Sequence, residues 1–147
     1  NLKDITNPLG QKTVFNSYDG DGRATQITAP NGVVTTMAYT PRGWLKTLTV
    51  KDSANALNQT TSYGYDPTGL LKTVTAPDGS VLTYGYDPAH RLTSITDSLG
   101  NKATYTLDNI GNRISEKATD PSNVLRRNIT RVYDALNRLQ TVTGGVQ

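Results

Sequence analysis

The stretch YDPTGLLKTVTAPDGSVLTYGYDPAHRLTSIT, residues 65 to 96, says nearly the same thing twice. Tyr65-Asp66-Pro67-Thr68-Gly69-Leu70-Leu71 returns 21 residues later as Tyr86-Asp87-Pro88-Ala89-His90-Arg91-Leu92. Each copy runs on into apolar residues and threonines, ending at Thr75 or Thr96. An internal period of this length is read before anything else, because it decides the architecture.

Working outward, the same pattern recurs at six anchors: Tyr18, Tyr39, Tyr65, Tyr86, Leu107 and Tyr133, spaced by 21, 26, 21, 21 and 26 residues. Asp19, Thr40, Asp66, Asp87, Asp108 and Asp134 follow the anchors. Four positions after each anchor stand Gly22, Gly43, Gly69, His90, Gly111 and Asn137. A second turn recurs about ten residues before an anchor, at Asn7-Pro8-Leu9-Gly10, Ala29-Pro30-Asn31-Gly32, Ala76-Pro77-Asp78-Gly79 and Asp97-Ser98-Leu99-Gly100. The two long spacings are expected to replace it with looser insertions, around Asp52 to Gln59 and Asp120 to Arg126.

Each unit reads as a hairpin. Asp at the first corner, Pro at the second and Gly at the fourth suit a type I turn. A left-handed residue after such a turn gives the bulged loop common between antiparallel strands. Glycine, asparagine and histidine are among the residues that tolerate that left-handed position. The lone histidine, His90, therefore stands in a glycine slot, as does Asn137. This turn predicts that Tyr65 faces Leu71, Tyr39 faces Leu45, Tyr86 faces Leu92 and Tyr133 faces Leu139. Such cross-strand pairs contribute roughly 0.2–1 kcal/mol each. Period-two alternation places Tyr63, Tyr84 and Tyr105 on the anchors' face. The opposite face is expected to mix Thr and Lys with Leu48, Val74, Ile95 and Val142.

Composition agrees with an extended sheet: 35% of the 147 residues are hydrophobic, and Phe, Trp and Met occur once each. An open sheet must bury a face somewhere, so the chain is expected to be a fragment that needs more of its own chain or a second copy. No cysteine is present, which excludes a disulfide framework and thiolate metal sites. No apolar run approaches the ~18 residues of a membrane helix, and the strands look too short and too polar for a transmembrane barrel. The net charge is +3. The densest basic stretch, Arg126, Arg127, Arg131 and Arg138 with Arg113 and Lys117 upstream, is diluted by Glu116, Asp120 and Asp134. It reads as solvated strand faces and loops rather than a nucleic-acid surface.

YDGDGRATQIT, YTPRGWLKTLT, YDPTGLLKTVT, YDPAHRLTSIT, LDNIGNRISE and YDALNRLQTVT together resemble the YD repeats of the Rhs family, across almost all of residues 7 to 143. Leu107 for Tyr, Thr40 for Asp, and Asn112 as an extra residue before Arg113 depart from the pattern; Asn112 is expected to shift the register locally. The resemblance implies an all-β fold, a curved or spiralling antiparallel meander of ~10–12 strands, forming an arc of a larger shell. Residues 1–147 are then a single array of six repeats. Family members include bacterial polymorphic toxins, toxin-complex components and teneurins. The resemblance implies a secreted or cell-surface protein whose shell encapsulates a toxic C-terminal effector. The expected partners are the rest of the shell, that effector and a second copy through an edge strand, with no nucleic acid and no membrane span. The alternative function is recognition of cell-surface carbohydrate or protein.

No residue reads as catalytic, cofactor-binding or metal-ligating, and no enzymatic activity is expected. Asp66-Pro67-Thr68-Gly69-Leu70 contains part of the family's self-cleavage motif, but Thr73 and Thr75 stand where its glycine and asparagine belong, so it reads as a turn. Trp44 lacks the companions of a choline cage. The tyrosines could stack on sugars but read as cross-strand packing. Asp19, Asp66, Asp87 and Asp134 sit at turn corners, where bonds to local amides are expected rather than metal. Asn58-Gln59-Thr60 and Asn128-Ile129-Thr130 match the glycosylation acceptor pattern, which matters only in a eukaryotic secretory host.

Overall fold

The computed structural model describes residues 1–54 and 57–146. They form strands and turns only: β1 (Asp4–Thr6), β2 (Lys12–Tyr18), β3 (Ala24–Thr28), β4 (Val34–Tyr39), β5 (Leu45–Lys51), β6 (Asn58–Tyr65), β7 (Leu71–Thr75), β8 (Val81–Tyr86), β9 (Leu92–Asp97), β10 (Lys102–Leu107), β11 (Arg113–Thr119), β12 (Leu125–Tyr133) and β13 (Leu139–Val146). The strands hydrogen-bond in chain order as one 13-stranded sheet. Two strands per anchor account for twelve; the Asn7 turn adds β1, which pairs Ile5 with Thr13. Two compact units divide the chain, Asn1–Gly64 with Val74–Gly79, and Tyr65–Thr73 with Ser80–Gln147.

The turns set the strand register. Asp19, Asp66, Asp87, Asp108 and Asp134 each donate their amide to the carbonyl four residues along the turn, at Arg23, Leu70, Arg91, Asn112 and Arg138. Each aspartate carbonyl in turn accepts the amide of the residue at the fourth corner. That residue is left-handed: Gly22 (φ 81°), Gly69 (φ 97°), His90 (φ 62°), Gly111 (φ 98°) and Asn137 (φ 61°). Beyond the turn, Tyr39 lies opposite Leu45, Tyr86 opposite Leu92 and Tyr133 opposite Leu139. Tyr18 lies opposite Ala24, and Leu107 opposite Arg113.

Leu107 and Arg113 keep the same six-residue offset as the other pairs, so Asn112 is not an extra residue and adds no shift. It fills the position of Arg23, Arg91 and Arg138. The Asp120 turn is likewise no loose insertion. Asp120 donates to the Val124 carbonyl, and Asn123 is left-handed (φ 61°) and donates to Asp120. The longer spacing goes into strand length, with 7 residues in β11 and 9 in β12 against 6 each in β9 and β10. In the other long spacing β5 has 7 residues and β6 has 8; Asn55 and Ala56, in its connection, lie outside the described residues.

A bulge follows the turns at Asp19, Thr40, Asp87, Asp108, Asp120 and Asp134 and overturns the expected assignment of faces. Ala38 pairs with Thr47 while Tyr39 pairs with Leu45, leaving Lys46 as the additional residue. Gly85 with Ser94, then Tyr86 with Leu92, leaves Thr93 in the same role. Two residues opposing one break the period-two count beyond the bulge. Leu48 therefore pairs with Met37, Ile95 with Tyr84, and Val142 with Arg131. All three share the face of the anchor tyrosines rather than the opposite one. What remains opposite is a hydroxyl-rich surface. Thr36, Thr49 and Thr60 stand in one row, with Thr49 Oγ1 2.8 Å from Thr60 Oγ1. Thr106, Ser115, Thr130 and Thr143 make another.

None of the described residues is fully buried, and Leu82, Val132 and Val142 are among the exposed aliphatics. With so little core, hydrogen bonds from one hairpin to the next carry weight. The Tyr39, Tyr86 and Tyr133 hydroxyls donate to the Ala24 (2.9 Å), Leu71 (2.8 Å) and Arg113 (3.4 Å) carbonyls. Tyr18 donates to the Leu2 carbonyl. In the first three cases the acceptor is the residue six places after the preceding anchor.

Substitutions at three positions test these points. Gly111→Ala meets no neighbouring atom, so its cost is conformational, and chemical denaturation should show a loss of about 1–2 kcal/mol. Gly20→Ala also meets no atom, and Gly20 is not left-handed; its stability should stay within about 0.5 kcal/mol or rise slightly. Leu107→Tyr should bring a hydroxyl to the Leu92 carbonyl and add about 0.5–1.5 kcal/mol. Leu107→Phe, which lacks the hydroxyl, should not reproduce that gain.

Candidate functional site

The polar side chains gather at the turns. Aspartate Oδ1 caps the turn from within: at Asp87 it accepts the amides of Ala89 (2.9 Å) and Arg91 (2.9 Å), and at Asp134 those of Leu136 (2.9 Å) and Arg138 (2.9 Å). Asp19, Asp66, Asp97, Asp108 and Asp120 repeat the arrangement. Two backbone donors on one oxygen satisfy the amides that a tight turn leaves without sheet partners. At Thr40 the hydroxyl substitutes by accepting the Trp44 amide at 3.1 Å.

The second carboxylate oxygen reaches further. Asp19, Asp87 and Asp134 Oδ2 each accept Nε of the arginine four residues on, Arg23, Arg91 and Arg138, at 2.7 Å. At Asp97 and Asp108 the donor is the side-chain amide of Asn101 (2.8 Å) or Asn112 (2.9 Å). Several of these residues also join one anchor turn to the next. Arg91 Nη1 donates to the Asp108 carbonyl at 2.9 Å, and Asn112 Nδ2 to Asn137 Oδ1 at 3.1 Å. The Arg23 guanidinium packs over the Tyr39 ring, 4.9 Å from its centroid, and against Gly43.

These donors lower the aspartate pKa values. The amides of Arg91, Val124 and Arg138 are the largest influence on Asp87, Asp120 and Asp134. At Asp66 and Asp97 it is the side chains of Thr68 and Asn101. Partial burial pushes Asp19 and Asp108 upward, but their hydrogen bonds outweigh it and the net shift is downward. Burial pushes the Tyr86 phenol up, favouring the protonated hydroxyl that donates to Leu71.

The basic stretch does not simply face solvent. Glu116, whose side chain is 15% exposed, meets Arg113 (3.6 Å), Arg127 (3.3 Å) and Arg131 (3.3 Å). Arg113 also lies 3.7 Å from the Tyr105 ring centroid. Arg126 and Arg138 pair with Asp120 and Asp134 at 2.7 Å. Sequence reading missed this cluster because the cross-strand register that brings Tyr105 opposite Glu116 and Glu116 opposite Ile129 cannot be read until the bulges are placed. It also missed the linking role of the residue four after the aspartate, although Asp19/Arg23, Asp87/Arg91 and Asp134/Arg138 carried that signal.

Other singled-out residues have local partners. Trp44 stacks with Arg42, 5.3 Å from ring to guanidinium. Asp66 Oδ1 accepts the Thr68 hydroxyl at 2.7 Å besides its two amides. Among the described residues no three His, Cys, Asp or Glu side chains gather to hold a metal, and no helix is long and apolar enough to cross a membrane. Asn58 and Asn128 lie within β6 and β12.

The RHS Repeat profile matches residues 18–56, 50–81, 65–102 and 86–125. The chain belongs to this RHS, or YD-repeat, family. Its fold is similar to the crystal structure of TcdB2-TccC3-Cdc42, at 22% identity over 90% of this chain and 7% of that one, with a TM-score of 0.81. The TcdB2-TccC3 crystal structure gives 0.80 at the same identity and coverage. A Photorhabdus luminescens Tc holotoxin pore gives 0.54, at 19% identity over 92% of this chain and 9% of that one. The chain thus spans less than a tenth of each. No curated protein matches it.

The lowered aspartate pKa values set a pH dependence. A carboxyl with a folded pKa below its unfolded value stabilises the fold above the unfolded value, and that contribution is lost as pH falls through the folded pKa. Thermal denaturation should show the melting temperature falling as pH drops below about 5. Asp134→Asn should flatten part of that fall, since an asparagine oxygen already caps the Asn7 turn.

Proposed function

We propose that the chain is a non-enzymatic wall segment of an Rhs-type β-shell, part of a secreted bacterial protein whose shell encloses and protects a toxic C-terminal effector. The observation that carries this reading is a family-wide repeat built as one sheet in which no described residue is fully buried. Such a sheet gains stability by joining further wall, which shields apolar surface that one layer leaves wet. In this reading residues 1–147 are one array of six repeats, and its partners are the remaining shell and the enclosed effector. The fold shared with TcdB2-TccC3 and with a Tc holotoxin pore supports it.

Recognition of a cell-surface glycan receives less support. The hydroxyls of Tyr39, Tyr86 and Tyr133 are spent on sheet carbonyls, and the anchor aspartates on their own turns. The residues that would contact a sugar are those that hold the hairpins together.

Limited proteolysis of the parent protein through its natural C-terminus, followed by mass spectrometry, tests the proposal. The C-terminal region should resist digestion while the repeats are intact and become labile once they are opened. A C-terminal region cut at once, with the repeats still intact, would overturn encapsulation.

A further inference from the structure

One anchor turn of the second unit lacks the arginine or asparagine that follows the aspartate by four residues in the other anchor turns. Arg91 bridges its own aspartate, Asp87 Oδ2, to the carbonyl of the next anchor turn, at Asp108. Asn112 joins Asp108 Oδ2 to Asn137. At the Asp66 turn the corresponding residue is Leu70, whose side chain has nothing to donate. The hydrogen bonds of Asp66 fall on Oδ1 and on its backbone. Among the described residues no cation pairs with it. The Asp87 carbonyl accepts the His90 amide and keeps a second lone pair, the counterpart of the one that Arg91 uses at Asp108.

An open groove of about 430 Å³ occupies this place, lined by Asp66, Leu70, Lys72, Tyr84, Pro88 and His90 among others. It offers a guanidinium what the chain supplies to its own: a carboxylate oxygen for Nε, a carbonyl for Nη and tyrosine rings alongside. Leu70 and Pro88 give the methylene stem an apolar wall. Guanidinium suits the pair better than ammonium, because its planar donors diverge toward two acceptors at once.

We propose that the groove between the Asp66 and Asp87 turns receives an arginine side chain from another polypeptide segment. Lys72 stands on the same wall and opposes the incoming charge, so it tunes the affinity downward.

The test is titration of the isotope-labelled full chain with N-acetyl-arginine amide, followed by amide NMR shifts. Saturable shifts confined to residues 66–72 and 84–90 are expected. N-acetyl-citrulline amide, the uncharged analogue, and N-acetyl-lysine amide should bind about tenfold more weakly or worse. Asp66→Asn keeps the turn, as Asn7 does at its own, and should weaken binding about tenfold or more. Leu70→Arg should fill the groove, abolish binding and raise the melting temperature. Lys72→Gln, a change outside the turn, should strengthen binding and serves if Leu70→Arg does not fold. Equal binding of the citrulline or lysine probe, or no effect of Asp66→Asn, would overturn the proposal. Free arginine binding more than tenfold tighter than the capped form would overturn its polypeptide source.

Discussion

The chain depends on one small device: a carboxylate oxygen that takes two backbone amides within a turn whose fourth residue is left-handed. With it in place, the residue before the aspartate and the residue six positions after that one are held opposite each other. Everything beyond follows by strand pairing. Because the device is local, it forms without a core, which a single layer of strands does not provide. Oδ2, left over from the turn, then becomes the means of holding an arginine or asparagine that touches the neighbouring turn. The same aspartate therefore shapes its own hairpin and helps align the next one.

The bulge after the turn decides what the two faces carry. By moving Leu48, Ile95 and Val142 to the tyrosine side, it adds these aliphatic groups to the tyrosine surface and leaves threonine and serine rows on the other. A sheet so divided has one face suited to meeting protein and one suited to water. Glu116 and its three arginines lie on the tyrosine side, so that side is not uniformly apolar.

Much of this was legible in the sequence, because the turn is written in residue types with narrow backbone preferences. Asp, Pro and Gly at fixed offsets located the anchor hairpins, and His90 and Asn137 stood where only a few residue types tolerate a positive φ. The same rule applied to Asp120-Pro121-Ser122-Asn123 would have located that turn too, had Asn123 been given the role granted to Asn137. The faces were misread because period-two counting was carried straight through the bulges at Lys46 and Thr93. The Glu116 cluster was hidden for the same reason, since it depends on register across three strands. The inter-turn links were hidden differently. Arg91 and Asp108 are 17 positions apart, and no local pattern says that a side chain crosses that gap.

Cryo-electron microscopy of the parent protein tests the central claim most directly. The account predicts residues 18–125 as strands within a closed hollow wall, with further density of the C-terminal effector inside it. An open sheet, both faces in solvent and nothing enclosed, would contradict it.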